Sequence, residues 1–173
     1  MSLLLASTRP SLVVSSDLSR ARATAEAIRS RHDIPLVIDP RLQEVDVYAG
    51  LGLGAWPVDD LGTEGLSAAQ DEFDRERRWS AFRFSETGAE LRRRVTASLD
   101  PLALSHAGQT VIVVCHGGVI NAYVTHLLGH PADMLFMPAH ASVSRVLALE
   151  DGRRLLESLN ERQHLDGAGL TTY

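Results

Sequence analysis

Two kinds of hydrophobic pattern alternate along the first part of the chain. Leu12 to Ser15 is a short, continuous apolar run, which is typical of a buried strand. In the segment Asp17 to Arg31, arginines separate apolar residues that recur at helical spacing, namely Leu18, Ala21, Ala25 and Ile28. A second short run, Leu36 to Ile38, is bracketed by prolines. This part of the chain therefore predicts a strand, a turn, a helix and a second strand.

The middle of the chain is less regular. Arg41 to Gly65 is rich in glycine and interrupted by proline, and it predicts a loop that lies over a site. Ser67 to Ser80 and Gly88 to Ser105 have helical spacing and predict two helices, each with a solvent-facing side. Thr87 precedes the second helix and Glu90 follows three residues later, which is the spacing of a capping box.

The last part of the chain returns to strong patterns. Thr110 to Cys115 predicts a buried strand from its continuous Val and Ile content. Gly117 to Leu128 predicts a helix that ends at Gly129. Ser142 to Leu149 predicts another strand, and Leu155 to Leu159 is expected to pair beside it across a tight turn.

Strands that alternate with helices predict an α/β fold, a three-layer sandwich whose largely parallel central sheet carries helices on both faces. The chain has 173 residues, of which 45% are hydrophobic and 23% charged, and this composition is typical of one globular domain. Residues 50 to 83 are expected to form a variable loop and helical insert over the site.

Composition and net charge limit the classes of binding partner that the protein is expected to have. No stretch approaches the roughly 20 apolar residues of a membrane helix, so we expect a cytoplasmic protein without a membrane partner. The net charge of -5 argues against general nucleic-acid binding, while a few local arginines suffice for a small anionic substrate. The single cysteine, Cys115, allows no internal disulfide and predicts a packed core thiol. The assembly state stays open, with a homodimer as the candidate.

In parallel sheets, ligands bind at the carboxyl ends of strands. The turn that follows the predicted strand Thr110 to Cys115 contains candidate binding residues. His116 can donate to a phosphate, and Gly117 and Gly118 let a ligand approach the N–H groups of a helix start. The ordinary interpretation is a histidine that caps a buried strand. The paired glycines favour a phosphate site instead.

The turn after the first strand carries the second candidate. Arg20 lies in the first turn of the predicted helix, where a guanidinium suits bidentate recognition of phosphate. A solvated helix face is the ordinary interpretation of such an arginine, and we expect it for Arg22 and Arg29. Arg20 differs from them by its place beside the turn.

Four segments together resemble the histidine phosphatase superfamily, whose fold is that of phosphoglycerate mutase. The string from Ser15 to Ala25, Ser-Ser-Asp-Leu-Ser-Arg-Ala-Arg-Ala-Thr-Ala, resembles its second signature, and Val113 to Gly118 its last. Arg41 to Val45 is similar to the Leu-x-Glu segment that supplies the family's acid/base carboxylate, and His140 to Val143 is similar to its final-strand motif. The resemblance covers nearly the whole chain.

The resemblance implies roles for these residues. Arg20 and His116 would hold the phosphoryl group with help from the Gly117 backbone, and Glu44 would protonate the leaving oxygen. Ser16 is a minor candidate. Glu86 is a rival to Glu44 that lacks the family's preceding glycine. The implied substrate is a small phosphorylated metabolite, with no metal and no cofactor; Arg92, Arg93 and Arg94 are expected to be solvated helix surface.

The family's first strand ends in Arg-His-Gly, whose histidine attacks phosphorus and forms a phosphohistidine. The sequence contains no such motif, and Arg31-His32-Asp33 is interpreted as a helix end. Met1 to Thr8 resembles the tail of the helix that follows the missing strand. A start codon placed too far downstream, a genuine truncation and a rearranged site are the three explanations, and we favour the first.

The implied activity is phosphomonoester hydrolysis through a phosphohistidine. Two alternatives stay open. One is a catalytically silent module that binds a phosphorylated ligand in the same pocket, and the other is a mutase of the phosphoglycerate type.

Overall fold

The computed structural model describes residues 8–52 and 56–165. Within these ranges the strands are β1 Pro10–Ser15, β2 Leu36–Ile38, β3 Thr110–Val114, β4 Val143–Ala148 and β5 Arg154–Glu161. The α-helices are α1 Ser19–His32, α2 Pro57–Glu76, α3 Gly88–Ser105 and α4 Gly117–Leu128. Of the predicted helix tail over Met1 to Thr8, all but Thr8 lies outside the described residues.

The central element is β1, the middle strand of a three-stranded parallel sheet with the order β2-β1-β3. Val13 pairs with Leu36 on one side and with Ile112 on the other. Strands β4 and β5 form a separate antiparallel pair, in which Leu147 lies opposite Leu155. The predicted α/β class, the parallel sheet and the final hairpin are confirmed.

Helices cover both faces of this sheet, because successive side chains of a strand point to opposite sides. Val13 packs with Ala25 and Ile28 of α1. Leu12 and Val14 belong to a larger cluster on the other face, to which α3 and α4 contribute Leu91, Val95, Val119 and Ala122. The three layers are those that the alternating pattern predicted.

Local signals fixed the ends of two helices. The Thr87 hydroxyl accepts a hydrogen bond from the Glu90 N–H at 3.2 Å, and the Glu90 carboxylate accepts one from the Thr87 N–H at 2.9 Å. The predicted capping box at the start of α3 is therefore confirmed. Helix α4 ends at Gly129, whose φ of 61° is left-handed. Among the described helices, none combines the length and the apolar character that a membrane crossing needs.

Two predictions about elements were wrong. Helix α2 begins at Pro57, well before the predicted start at Ser67, and it ends at Glu76. Proline is favoured at the first helical position, whereas Gly62, with a φ of 65°, interrupts the helix and hides its periodicity. Strand β3 was predicted to be buried, but Val111 to Val114 are only half-buried, because among the described strands β3 pairs with β1 alone.

Candidate active site

The two predicted turns meet at the carboxyl ends of the neighbouring strands β1 and β3. Ser16 follows β1, and its N–H donates to the carbonyl of Val114 in β3 at 3.0 Å. The Ser16 hydroxyl and His116 Nε2 share a hydrogen bond of 3.0 Å, although the two residues are 100 positions apart in the sequence. The Ser16 hydroxyl also accepts from the Leu18 N–H at 3.3 Å. Parallel pairing therefore joins the residues that the sequence analysis selected separately.

His116 is only 7% exposed and stands at the N-terminus of α4. Burial lowers the pKa of His116 to about 4, assisted by the positive charges of Arg20 and Arg94 and opposed by Asp17. The imidazole is consequently neutral near pH 7. In that form it offers one N–H donor and one acceptor rather than a positive charge.

The Glu44 carboxylate lies against the same helix end. Its Oε1 accepts hydrogen bonds of 2.9 Å from the N–H groups of Val45 and Gly118, and its Oε2 accepts none from the described residues. Burial raises the pKa of Glu44, against those two backbone hydrogen bonds and the charges of Arg20 and Arg94. A raised pKa favours the protonated carboxyl group, which is the form that a proton donor needs.

The two glycines at the start of α4 differ in their surroundings. A Cβ on Gly118 would overlap Glu44 Oε1, so the carboxylate can reach this N–H only because residue 118 is glycine. A Cβ on Gly117 would meet Pro138 and Glu44 at 3.7 and 3.8 Å, which are ordinary contacts. Glu44 takes the Gly118 N–H, while the Gly117 N–H donates to no described residue.

Arg20 supplies a positive charge to the site. It lies in the first turn of α1, is exposed, and forms no ion pair with the described residues. Its positive charge lowers the pKa of both Glu44 and His116. The structure brings His116, Gly117 and Glu44 together at the start of α4, and Arg20 acts on this site through its charge, while the roles of the four residues stay predictions.

Glu86, the rival proton donor, is held differently. Arg94 binds both of its oxygens, with Nε to Oε1 at 2.6 Å and Nη2 to Oε2 at 2.7 Å. Both carboxylate oxygens of Glu86 are thus engaged by one guanidinium, and the acid/base role considered for Glu86 stays a prediction with less geometric support than that of Glu44. The expected surface role of Arg94 is wrong, and Arg92 pairs with the buried Asp133 at 2.9 Å. Only Arg93 of this triplet is exposed.

Asp17 is a site residue that the sequence analysis missed. Its Oδ2 accepts from Gln43 Nε2 at 2.8 Å, which ties the loop before Glu44 to the loop after β1. Its Oδ1 is buried and has no hydrogen-bond partner among the described residues. The available signal was its position between Ser16 and Leu18, inside the string that carries the family resemblance.

Other candidate nucleophiles are either protonated or distant from the site. Cys115, which precedes His116, is partly buried and packs against the core, and burial raises the pKa of its thiol to about 12, so the thiol stays protonated. His32 ends α1, as predicted, and the 14 residues of that helix separate it from the site end by about 20 Å at 1.5 Å per residue. His140 is exposed and precedes β4.

Comparisons with known proteins show the family of this chain. The model of the histidine phosphatase superfamily (branch 1) matches residues 2–162. The "Probable phosphoglycerate mutase GpmB" of Yersinia pestis is 29% identical over 173 aligned positions, which cover 89% of this chain and 73% of that protein.

Solved structures share the fold. A mycobacterial glucosyl-3-phosphoglycerate phosphatase in complex with VO3 superposes with a TM-score of 0.70 and 26% identity, over 92% of this chain and 80% of that one. YhfR of Bacillus stearothermophilus superposes with a TM-score of 0.76 and 23% identity, over 95% of this chain and 80% of its own, and shows the fold alone.

Proposed function

Since this chain belongs to branch 1 of the histidine phosphatase superfamily, we propose that it is a phosphomonoester hydrolase acting on a small phosphorylated metabolite. One observation carries the proposal: the half-buried carboxyl group of Glu44 accepts the Gly118 N–H at the N-terminus of α4, two residues after His116. A proton donor and an anion-binding helix end then share one site.

Three groups would hold the phosphoryl oxygens. Arg20 supplies a full positive charge that is not neutralised by an ion pair with a described residue. The Gly117 N–H supplies a backbone donor at the positive end of the dipole of α4. The neutral His116 supplies one further donor, and Ser16 fixes the orientation of its ring. These donors would also stabilise the negative charge that develops as the ester bond breaks.

Glu44 would protonate the leaving oxygen of the ester. Its Oε1 is occupied by two backbone N–H groups, so the proton belongs on Oε2, which lies on the side of Gly117. Because burial raises its pKa, the carboxyl group keeps this proton to a higher pH than an exposed glutamate does.

Hydrolysis requires a group that attacks phosphorus, whereas the second candidate function, binding without turnover, does not. Family resemblance implies attack by a histidine, with a phosphorus–nitrogen bond formed as the ester bond breaks, and hydrolysis of the phosphohistidine by water. His32 lies at the far end of α1, away from the site. The alternative is a module that uses the same pocket to bind a phosphorylated ligand without turnover. The relative GpmB, a probable mutase by its name, supplies the argument for phosphoglycerate-type transfer.

Turnover of 4-nitrophenyl phosphate and affinity for orthovanadate, measured on the same preparation, separate these functions. A phosphatase shows both, and Glu44→Gln then lowers turnover by about 10²- to 10⁴-fold while vanadate affinity persists. Binding without turnover supports the module and refutes hydrolysis by this chain. Absence of saturable vanadate binding refutes both. Phosphoryl transfer between two phosphoglycerate isomers at a rate above hydrolysis supports the mutase.

A further inference from the structure

Arg94 of α3 makes an unusual number of contacts with the segment that carries Glu44. Its Nη1 donates to the carbonyls of Arg41 and Gln43, each at 2.8 Å, and its Nη2 donates to the carbonyl of Glu44 at 3.2 Å. The remaining donors bind Glu86, in the bidentate pair already described. One guanidinium therefore joins three backbone carbonyls of the segment and one counterion.

Apart from Arg94, this segment is held by the packing of Val45 and Val47 against the core and by a few hydrogen bonds. Residues 43 to 47 belong to no helix or strand, so their carbonyls have no ladder of backbone partners. The Gln43 side chain adds one tie, to Asp17, and the Glu86 N–H adds another, to the carbonyl of Asp46 at 2.8 Å. A flexible segment would let the Glu44 carboxylate leave the helix end, which would cost the catalytic geometry.

We propose that Arg94, oriented by Glu86, is a positioning residue that fixes the backbone at Arg41 to Glu44 and thereby holds the Glu44 carboxylate on the Gly118 N–H. Arg94 has no hydrogen bond to either carboxylate oxygen of Glu44, so it acts through the backbone carbonyl rather than on the reacting atoms. The catalytic value of this position rests on the proposed function, but the position itself can be measured without turnover.

The charge of Arg94 also reaches the reacting groups. Both Arg94 and Arg20 lower the pKa of Glu44 and that of His116, and Asp17 raises the pKa of His116. Removing the charge of Arg94 should therefore raise both pKa values, whereas Lys at the same position should keep most of the charge and lose the multiple hydrogen bonds.

Hydrogen exchange at the Gly118 amide provides the direct test. This N–H lies in the first turn of α4, where no intrahelical carbonyl is available, so Glu44 is its described acceptor. Arg94→Met should increase its exchange rate at least about tenfold, as Glu44→Ala should in a positive control. Arg93→Met is the matched control, because it removes the same charge from an exposed neighbour on the same helix.

Arg94→Lys separates geometry from charge. We expect the Gly118 amide of this variant to exchange fast. The pKa of His116, measured by NMR of the imidazole, should stay close to the wild-type value. Unchanged Gly118 exchange in folded Arg94→Met, or an equal increase in Arg93→Met, overturns the proposal. If wild-type protein lacks turnover while Gly118 responds as expected, the proposed hydrolase fails and the positioning role stands.

Discussion

The side chains at the site divide between those that the sequence identifies and those whose role depends on packing. Arg20, Glu44 and His116 each stand in a string with a recognisable chemical pattern, and the structure brings Glu44 and His116 together at the start of α4, where the charge of Arg20 acts on both. Arg94 stands in a run of three arginines, and successive helical residues differ by about 100° in direction. Sequence alone cannot tell which of the three faces the site, because that choice belongs to the rotation of α3 against the Glu44 segment.

The unequal surroundings of Gly117 and Gly118 give a prediction at this scale. Gly118→Ala places a methyl group against Glu44 Oε1, so the carboxylate must move, and we expect turnover of 4-nitrophenyl phosphate to fall about 10²-fold. The unfolding free energy should fall by about 1–3 kcal/mol. Gly117→Ala has ordinary contacts and serves as the control for stability alone. A similar loss of unfolding free energy in both variants would show that Glu44 does not depend on the close approach at Gly118.

At the scale of elements, strong local signals predicted boundaries well and weak ones did not. The capping box at Thr87 and the left-handed Gly129 determine helix ends through local hydrogen bonds, and both were read correctly. The start of α2 was missed because Gly62 interrupts its pattern. The exposure of β3 could not be read from its composition, because a continuous Val and Ile run looks the same in a central strand and in an edge strand.

Hydrogen exchange along β1 and β3 tests the pairing of the sheet. Strand β1 has a partner on each side, so its amides should exchange slowly throughout. Strand β3 pairs with β1 alone in the described part of the chain, so its amides that point away from β1 should exchange at least about tenfold faster than those that point toward it. Uniformly slow exchange along β3 would contradict an open edge and indicate a covering partner, for which a second copy is the first candidate.

For the whole molecule, the alternating pattern predicted the class and the three layers, because burial of two faces of a sheet demands helices on both. The antiparallel pair at the end of the chain was predicted from its turn, but its separation from the parallel sheet was not, since strand order is decided by contacts between distant residues. Substrate identity depends on contacts made by side chains around Gly50 to Arg83, and no motif there specifies them.

Acid sensitivity of the whole fold follows from His116. Its folded pKa of about 4 lies below the ordinary value near 6.5, so the unfolded chain takes up the proton first and the fold loses stability as pH falls between these values. As the pH falls over that range, the unfolding free energy of the wild type should therefore decrease relative to that of His116→Asn by up to about 1.4 kcal/mol per pH unit. Denaturant unfolding at pH 7, 6, 5 and 4 measures it, and a constant difference would contradict the buried neutral imidazole.

The central claim is that this end of the sheet binds a phosphoryl group, and calorimetric titration with orthovanadate tests it most directly. Arg20 is the cation of the site that forms no ion pair with the described residues, so its guanidinium is available to the ligand. Arg20→Gln removes its charge-assisted hydrogen bonds and should weaken binding at least about tenfold. Arg22→Gln removes the same charge from an exposed position on α1 and should bind as wild type does. Equal affinity of the two variants, or no saturable binding by wild type, would contradict the account.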